Sequence, residues 1–297
     1  MHTETLENCP ICGGGDFVPF LLATDHTVSK ESFNLTTCAA CGFCVTNPRP
    51  TQSTIGKYYE SKNYISHTNA TNSLQDRTYQ LVRKRAIRTK HKQIAQFKPQ
   101  GTILDMGCGT GEFLAYLRGK GYTVRGIEPN LAAREQAISN HALDVVPDID
   151  RIPPSEQFQT ITLWHVLEHV YDVKDTLKKL HARMPTGGLL VIAVPDRESW
   201  DAQHYGANWA AYDVPRHLSH FRRRDIGQLL SDQGFQLVKT RRMWFDAAYV
   251  SILSERNGGT SQWAAMLKGV LMGITSNIVA VLSSRPASSS LYFARKG

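Results

Sequence analysis

The sequence has no apolar segment near its amino terminus, and its longest apolar run is short for a membrane span. We therefore expect no signal peptide and a cytoplasmic protein. Within residues 262–283, Lys268 leaves an uninterrupted run of about 15 apolar and small residues, below the ~20 that a spanning helix needs. We exclude a span on this ground and predict a helix packed on the core or on a lid. Peripheral membrane contact is the alternative.

Cysteines are absent from most of the chain, which argues against a disulfide framework. Five of the six precede residue 45, and the sixth is Cys108. The early cysteines form two Cys-x-x-Cys-Gly motifs, a spacing typical of tetrahedral zinc sites. Cys44 lacks a following glycine, and we expect it to remain a free thiol. We predict a zinc ribbon over residues 1–50, with a structural zinc ion bound by Cys9, Cys12, Cys38 and Cys41.

Extreme charge is also absent. The 297 residues carry a formal net charge of +8, and 41% of them are hydrophobic. The length and the apolar content allow one large domain with a real core and one small domain. The basic balance suits a small anionic substrate such as a nucleotide-sugar and leaves nucleic acid open as a second kind of partner.

The most informative stretch is Thr102–Leu114, where an apolar run ends in an acid and alternating glycines follow. Glycine permits a positive φ and a close approach of ligand to backbone, and the helix that begins behind the loop offers free N–H groups. A dinucleotide site uses Gly-x-Gly-x-x-Gly, whereas the spacing here is Gly-x-Gly-x-Gly. A second acid ends the next predicted strand and can accept hydrogen bonds from ribose hydroxyls. The predicted cofactor-binding residues are Asp105, Gly107, Gly109, Gly111 and Glu128.

Ionisable side chains follow the predicted strand Phe158–Trp164. A helix over the next residues would place His165, Glu168 and His169 on one face, because they are spaced i, i+3 and i+4. They leave the carboxyl end of a parallel strand, the edge where open α/β sheets bind ligands. We predict that all three belong to a catalytic group, with His169 as the first candidate for a general base.

An aromatic-rich insert, residues 197–217, follows the next predicted strand and is interpreted as a lid or a substrate wall. It ends in His217, and His220 stands three residues later. We add both histidines to the predicted catalytic group, with His217 as the second candidate for the base. In the bridge before the glycine loop, we expect the tyrosines at 58, 59 and 64 to pack, and lining the site is the alternative.

These motifs resemble a known family. The glycine loop, the acid at 128, the His-Val-Leu-Glu-His-Val stretch at 165–170 and the segment Pro215–Phe221 resemble the methyltransferase-23 branch of the class I S-adenosylmethionine (SAM) dependent methyltransferases. That branch is close to the ubiquinone-biosynthesis O-methyltransferases. The ribbon resembles that of sugar C-methyltransferases and of enzymes from surface-polysaccharide and natural-product clusters.

The resemblance implies an α/β fold: a Rossmann-like, seven-stranded class I methyltransferase sheet with helices on both faces, plus the zinc ribbon. It implies SAM as cofactor, with Asp148 near the adenine and Trp164 also at the cofactor. The ubiquinone-type enzymes carry Glu-x-x-Glu-His, whose acids can hold a divalent cation. Here His165 replaces the first acid. A metal at His165, Glu168 and His169 is therefore left open. The predicted divisions are a ribbon at 1–50, a helical bridge at 51–98 and a methyltransferase domain at 99–297 with a lid at 197–217 and an apolar helical insert at 245–285.

The leading functional hypothesis is methyl transfer from SAM to oxygen or carbon of a small molecule, such as a sugar, a nucleotide-sugar or a related hydroxylated metabolite. A histidine would take the proton from the acceptor. The second hypothesis is an RNA base methyltransferase whose zinc ribbon binds nucleic acid. Against it, the Asn/Asp-Pro-Pro-Tyr motif of amino methylation is absent after the predicted strand Phe158–Trp164. The third is a non-catalytic scaffold with a SAM fold.

Overall fold

The computed structural model describes residues 3–60, 74–97 and 101–297, and for 74–82 the backbone alone. The tyrosine at position 64, one of the bridge tyrosines that we expect to pack, lies outside these residues. The amino-terminal part is built from short strands. Their bounds are β1 (Thr3–Glu4), β2 (Phe17–Thr24), β3 (Ser32–Cys38), β4 (Cys44–Thr46) and β5 (Arg49–Pro50).

The rest of the described chain alternates helices with strands. The bounds of the first half are α1 (Leu74–Ala95), β6 (Thr102–Met106), α2 (Glu112–Arg118), β7 (Thr123–Ile127), α3 (Leu131–His141), β8 (Val145–Val146), β9 (Thr160–Trp164), α4 (Val173–Ala182) and β10 (Leu189–Pro195). Those of the second half are α5 (Trp200–Tyr205), β11 (Ser219–His220), α6 (Arg223–Asp232), β12 (Phe235–Arg242), α7 (Trp244–Asn257), α8 (Gln262–Leu282) and β13 (Ser289–Lys296).

The central sheet has seven strands in the order β12-β13-β10-β9-β6-β7-β8. β13 runs antiparallel to both of its neighbours, while the pairings from β10 to β8 are parallel. The inner strands β9 and β10 are buried almost throughout, as expected of parallel strands covered on both faces. The predicted α/β fold with a seven-stranded sheet is confirmed. The strand order also puts the glycine loop after β6 next to the loop after β9, because these two strands pair.

The ribbon shares a sheet with the larger part of the chain. A second, four-stranded sheet has the order β11-β4-β3-β2, and β11 comes from the segment that follows the aromatic insert. Ser219 pairs with Val45, and His220 pairs with Cys44. The same hydrophobic core contains Phe43 from the ribbon and Leu104 from β6. The segment that carries His217 is therefore positioned by the ribbon.

One prediction of local structure is wrong. The residues after β9 do not form a helix that places His165, Glu168 and His169 on one face. His165 adopts a left-handed backbone with φ of 58°, and only Leu167–His169 form a single 3-10 turn. The left-handed residue turns the chain directly after β9, so no regular helix begins there.

The helices α7 and α8 form an antiparallel pair on the outside of the fold. α8 is closely packed on α7 through small residues, because a Cβ at Gly269 would lie 2.4 Å from the Cα of Ile252. Among the described residues, α8 alone is long and apolar enough, by length and composition, to cross a membrane. We excluded a membrane span from the sequence because we counted only the run of about 15 apolar and small residues beyond Lys268, whereas α8 has 21 residues.

A buried ion pair joins the ribbon to the segment before β11. Arg216 and Asp25 are almost fully buried, and a guanidinium nitrogen lies 3.0 Å from the Asp25 carboxylate. Arg216 also donates to both oxygens of Asp213 and to the backbone carbonyl of Tyr58. Burial alone would raise the pKa of each carboxyl group, but hydrogen bonds and the guanidinium outweigh it and hold both values below the ordinary range.

We expect Arg216→Ala to lower the free energy of unfolding by about 3–5 kcal/mol, because it leaves buried carboxylates without their cation. The lowered carboxyl pKa values stabilise the folded protein at pH values above ~3.9, the pKa of an aspartate in the unfolded chain. This stabilisation is lost as the pH falls below that value. The difference between the two proteins should therefore shrink in acid. Urea unfolding from pH 7 down to about pH 2 measures it. Arg88→Ala, at an exposed position of α1, is the control, and an equal effect of both substitutions would contradict the prediction.

Candidate functional site

The glycine loop between β6 and α2 is open toward a ligand. Gly107, Gly109 and Gly111 have φ angles of 74°, 56° and 83°, which side chains rarely tolerate. A Cβ at Gly109 would meet nothing within 4 Å, so the backbone faces free space there. At Gly107 a Cβ would lie 2.4 Å from a methyl group of Val166, so this glycine permits close packing instead. The loop can thus receive a ligand at its centre.

Glu128 lies beside this loop, at the end of β7. One of its oxygens accepts from the backbone N–H of Gly109 and the other from that of Asn130, both at 2.9 Å. The side chain is mostly buried, and burial raises the pKa of its carboxyl group. A carboxylate held in this way next to a glycine turn fits the ribose hydroxyls of a nucleoside cofactor, which are donors of hydrogen bonds.

Asp105 is buried behind the loop and faces a lysine that sequence reasoning missed. It accepts a hydrogen bond of 2.5 Å from Thr162, and burial raises its pKa to about 6. Lys90 of α1 lies over the Trp164 ring at 4.8 Å, and burial lowers its pKa while Asp105 opposes that effect. The only signal in the sequence was the position of Lys90 one helix before the glycine loop.

Two other predicted cofactor residues have different surroundings. Trp164 ends β9, packs edge-on against Phe113, and has a buried indole N–H without a partner among the described residues. Asp148 caps the turn Ile149–Arg151, accepting from the backbone N–H groups of Asp150 and Arg151. Trp164 is therefore oriented toward the region of the loop, whereas Asp148 has a structural role whether or not an adenine lies beside it.

A cavity of about 910 Å³ lies on the other side of the loop after β9. Its walls come from the ribbon, from the aromatic insert and from α7. Histidines 165, 169 and 217 line it together with Glu168. The structure thus brings together four of the five residues predicted to be catalytic. A cavity of this size fits a small molecule.

His220 is the exception. It pairs with Cys44 in the four-stranded sheet, and its ring nitrogen lies 3.0 Å from the hydroxyl oxygen of Thr46. Burial lowers its pKa, and the residue does not belong to the cavity lining. The interpretation of His220 as catalytic is therefore not supported by its position: His220 is buried in the four-stranded sheet as part of β11, whereas His217 precedes that strand and lines the cavity.

His165 is held as a cation at the cavity wall. Its Nε2 lies 3.1 Å from a carboxylate oxygen of Asp246, and its Nδ1 lies 3.4 Å from Glu168. Burial opposes charge on the ring, but the two carboxylates outweigh it and raise the pKa to about 10. His165 is therefore protonated at neutral pH and cannot act as the base. Asp246, at the start of α7, was missed because nothing in its local sequence relates it to a residue 81 positions earlier.

His169 and His217 lie against each other with Glu168 beside them. The two rings are 4.6 Å apart at their centres, and Nε2 of His217 is 4.0 Å from Glu168 and 3.9 Å from Asp213. Glu168 is buried, and neither of its oxygens makes a hydrogen bond of ordinary geometry within the described part of the chain. Burial would raise its pKa, but the neighbouring histidines, with His165 the strongest, hold it below the ordinary value.

Backbone carbonyls fix the tautomers of both rings. Nδ1 of His169 lies 3.0 Å from the carbonyl oxygen of Arg216, and Nδ1 of His217 lies 2.9 Å from that of Ala211. A carbonyl oxygen only accepts, so each neutral ring carries its proton on Nδ1 and has a free lone pair on Nε2. Tyr59 places its hydroxyl 3.0 Å from the same Nδ1 of His169. We expected this tyrosine to pack; it also contacts the site.

Within the part of the chain that the structure describes, two groups of side chains could hold a metal ion. The first is Cys9, Cys12, Cys38 and Cys41, whose sulfur atoms all lie within 4.8 Å of one another. Four thiolates without an open position are the ligands of a structural zinc site. The second is Glu168, His169 and His217, with ligand atoms equally close. Two imidazoles and one carboxylate are also a donor set for a divalent transition metal. The prediction left open a metal at His165 instead; the structure replaces His165 by His217 in this group.

Cys44, expected to be a free thiol, lies in β4 outside the group of four. It is fully buried among ribbon and insert side chains, and burial raises its pKa to about 12.

Comparison with known proteins places this geometry in a family. Residues 79–240 match the model of a methyltransferase domain, the methyltransferase-23 family. The ubiquinone biosynthesis O-methyltransferase of Bradyrhizobium diazoefficiens is 32% identical over 122 residues, which cover 38% of this chain and 48% of that protein. The tRNA U34 carboxymethyltransferase of Shewanella sediminis is 33% identical over 100 residues, 31% of this chain and 30% of that protein. The match thus spans about half or less of these relatives' length.

A solved structure shares the fold. The magnesium protoporphyrin IX methyltransferase of Synechocystis PCC 6803, determined with bound S-adenosylhomocysteine (SAH), is 12% identical with a TM-score of 0.54. The superposition covers 83% of this chain and all of that one. At this identity the likeness concerns the fold alone.

We expect Glu128→Gln to weaken SAH binding by about ten- to a hundredfold, because a charged hydrogen-bond acceptor contributes about 1.5–3 kcal/mol. Isothermal titration calorimetry with SAH measures the change. The control is Glu135→Gln, at an exposed position of α3. If both variants bind SAH as the unchanged protein does, Glu128 is not a cofactor residue.

Proposed function

This chain belongs to the methyltransferase-23 family of class I SAM-dependent methyltransferases, and we propose that it methylates a hydroxyl group of a small anionic acceptor, of which a nucleotide-sugar is the best example. The observation that carries the proposal is the convergence of a buried carboxylate and two imidazoles on a cavity at the loop after β9, a loop whose Val166 packs against Gly107 of the glycine loop. A hydroxyl acceptor agrees with the ubiquinone O-methyltransferases among the relatives.

The cavity walls support an anionic acceptor. His26 and Lys30 reach it from the ribbon, and Arg256 reaches it from α7. The ionised groups that surround His169 and His217 line the same cavity. An acceptor that carries both a phosphate and hydroxyl groups would match these two kinds of lining residue. The ribbon therefore supplies part of the substrate wall in this proposal, rather than stability alone.

In this proposal, the charge of each side chain sets its role in methyl transfer. Bound SAM supplies a methyl group on a positively charged sulfur. The ring of His169 stays neutral because burial and the neighbouring His217 lower its pKa to about 4, which also makes it a weak base. We assign proton transfer to His217, because an imidazolium formed on it would lie between the carboxylates of Glu168 and Asp213. This reverses the order of the two candidates expected from sequence. His165, already a cation, helps to keep Glu168 ionised.

The acceptor is identified by incubating the purified protein and labelled SAM with a panel of nucleotide-sugars, dihydric phenols and bulk tRNA. We expect transfer to a nucleotide-sugar. Transfer to tRNA alone would instead favour the second candidate function, for which the tRNA-modifying relative is the specific observation. Transfer to phenols alone would contradict the anionic acceptor but not the hydroxyl chemistry.

Once the acceptor is identified, we expect His217→Ala to slow single-turnover methyl transfer to it by about 10²- to 10⁴-fold, the usual contribution of a general base. SAH affinity should stay within about twofold, because the residue lies on the acceptor side. His204→Ala, at an exposed position of α5, is the matched control. Full activity of His217→Ala would remove this residue from the mechanism.

A metal count separates proton transfer from metal activation at the same cluster. We expect one zinc ion per chain, lost when Cys9 and Cys12 are both replaced by serine, since four thiolates form a closed structural site. Elemental analysis of the purified protein measures it. A second metal equivalent that disappears in His217→Ala would show that the imidazoles and Glu168 bind a cation instead of accepting a proton.

A further inference from the structure

The pair of helices α7 and α8 turns its large apolar side chains away from the protein. Nine such side chains of α8 are between 43% and 80% exposed, among them Trp263, Leu267, Leu271, Ile274, Ile278 and Leu282. On α7, Trp244 lies beside Ile274 and Ile278 of α8, and two further aromatic side chains of the same helix, Phe245 and Tyr249, are also exposed. We call this set the hairpin face. A surface helix of a globular protein normally buries such residues.

The inner side of α8 is made of small residues. Ala265, Gly269, Gly273 and Ala280 are buried against the neighbouring helices. A Cβ at Gly273 would lie 2.5 Å from the Cα of Ala248, so the backbones are in close contact there. Small residues inside and large apolar residues outside are typical of helices surrounded by lipid tails, where burial in protein gives no hydrophobic advantage.

The helix is fixed on the protein, so it would lie along a bilayer and not through it. Ser276, in the middle of α8, donates a hydrogen bond of 2.7 Å to the buried carboxylate of Asp201. The strands before and after the hairpin, β12 and β13, pair with each other in the central sheet. Crossing a membrane would break the contact with Asp201 and carry one end of the hairpin away from that sheet.

The charges around the hairpin face are positive. Lys268 is the only charged residue of α8, and Arg242 and Arg285 lie at the end of the hairpin near Trp244. Arg256 is exposed at the other end. The acids of α7 are engaged inward: Asp246 pairs with His165, and Glu255 accepts from Tyr205 and Thr260. An apolar face with a cationic rim is complementary to an anionic lipid surface.

We propose that the hairpin face binds the surface of an anionic lipid bilayer, with α7 and α8 lying in the plane of the membrane. A second copy of the chain fits less well, since a symmetric contact would bring the same cations together without free carboxylates on this face to pair with them. The aromatic residues at both ends, Trp263 and Trp244, suit the boundary between headgroups and tails.

Flotation with lipid vesicles tests the proposal on the full-length protein. We expect binding to vesicles of about three parts phosphatidylcholine to one part phosphatidylglycerol, and weaker binding to pure phosphatidylcholine and at high salt. The double variant Leu267→Glu/Ile274→Glu should bind at least about tenfold more weakly, because it places charge in the apolar layer. The matched control is Ile138→Glu, whose side chain is 45% exposed on α3, away from the hairpin.

Unchanged SAH affinity and melting temperature show that each variant is folded. If the double variant does not fold, Lys268→Glu/Arg285→Glu replaces it and should lose the preference for anionic vesicles. The proposal is overturned if the unchanged protein floats with neither kind of vesicle. It is also overturned if sedimentation shows a dimer that the double variant abolishes while no protein binds vesicles. None of these measurements needs the methyl acceptor, so the outcome is independent of the proposed function.

Discussion

The buried guanidinium of Arg216 determines how three distant parts of the chain meet. It contacts Asp25 in the ribbon, Asp213 in the aromatic insert and the carbonyl of Tyr58 in the bridge. A cation without solvent is stable only if its hydrogen bonds are satisfied, so the three parts must be present together. His217 is the next residue in the chain, and its position in the cavity follows from this packing.

The ribbon therefore forms part of the wall of the cavity that contains His217. Its second Cys-x-x-Cys turn presents a carbonyl oxygen to two arginines at the start of α6: that of Cys41 accepts from Arg222 and Arg224. A few residues later, Thr46 donates a hydrogen bond of 2.7 Å to the carbonyl of His217. A bound zinc ion would hold this second turn rigid. Strand β4, which follows the turn, would carry that rigidity to the segment that contains His217.

The parts that sequence could predict are those set by local geometry or by the resemblance. The glycine loop and Glu128 belong to one β-turn-α-β unit, so their relation follows from spacing. The contacts of His217 with Glu168 and of His165 with Asp246 join segments far apart in the chain, and no periodicity encodes them. The spacing of His165, Glu168 and His169 gave a wrong prediction for a different reason. Helical spacing puts side chains on one face only where a helix forms, and the left-handed backbone at His165 prevents a helix there.

Helix α7 joins the cavity to the hairpin face. Tyr249 lines the cavity and is 66% exposed, while Asp246, one turn earlier, holds His165 as a cation. A displacement of α7 would lengthen the contact between Asp246 and His165 and weaken the charge on the ring, because the Asp246 carboxylate is the main effect that opposes burial. His165 in turn helps to keep Glu168 ionised beside His217. Contact of the outer face with a surface and the charge of the inner cluster therefore depend on the position of the same helix.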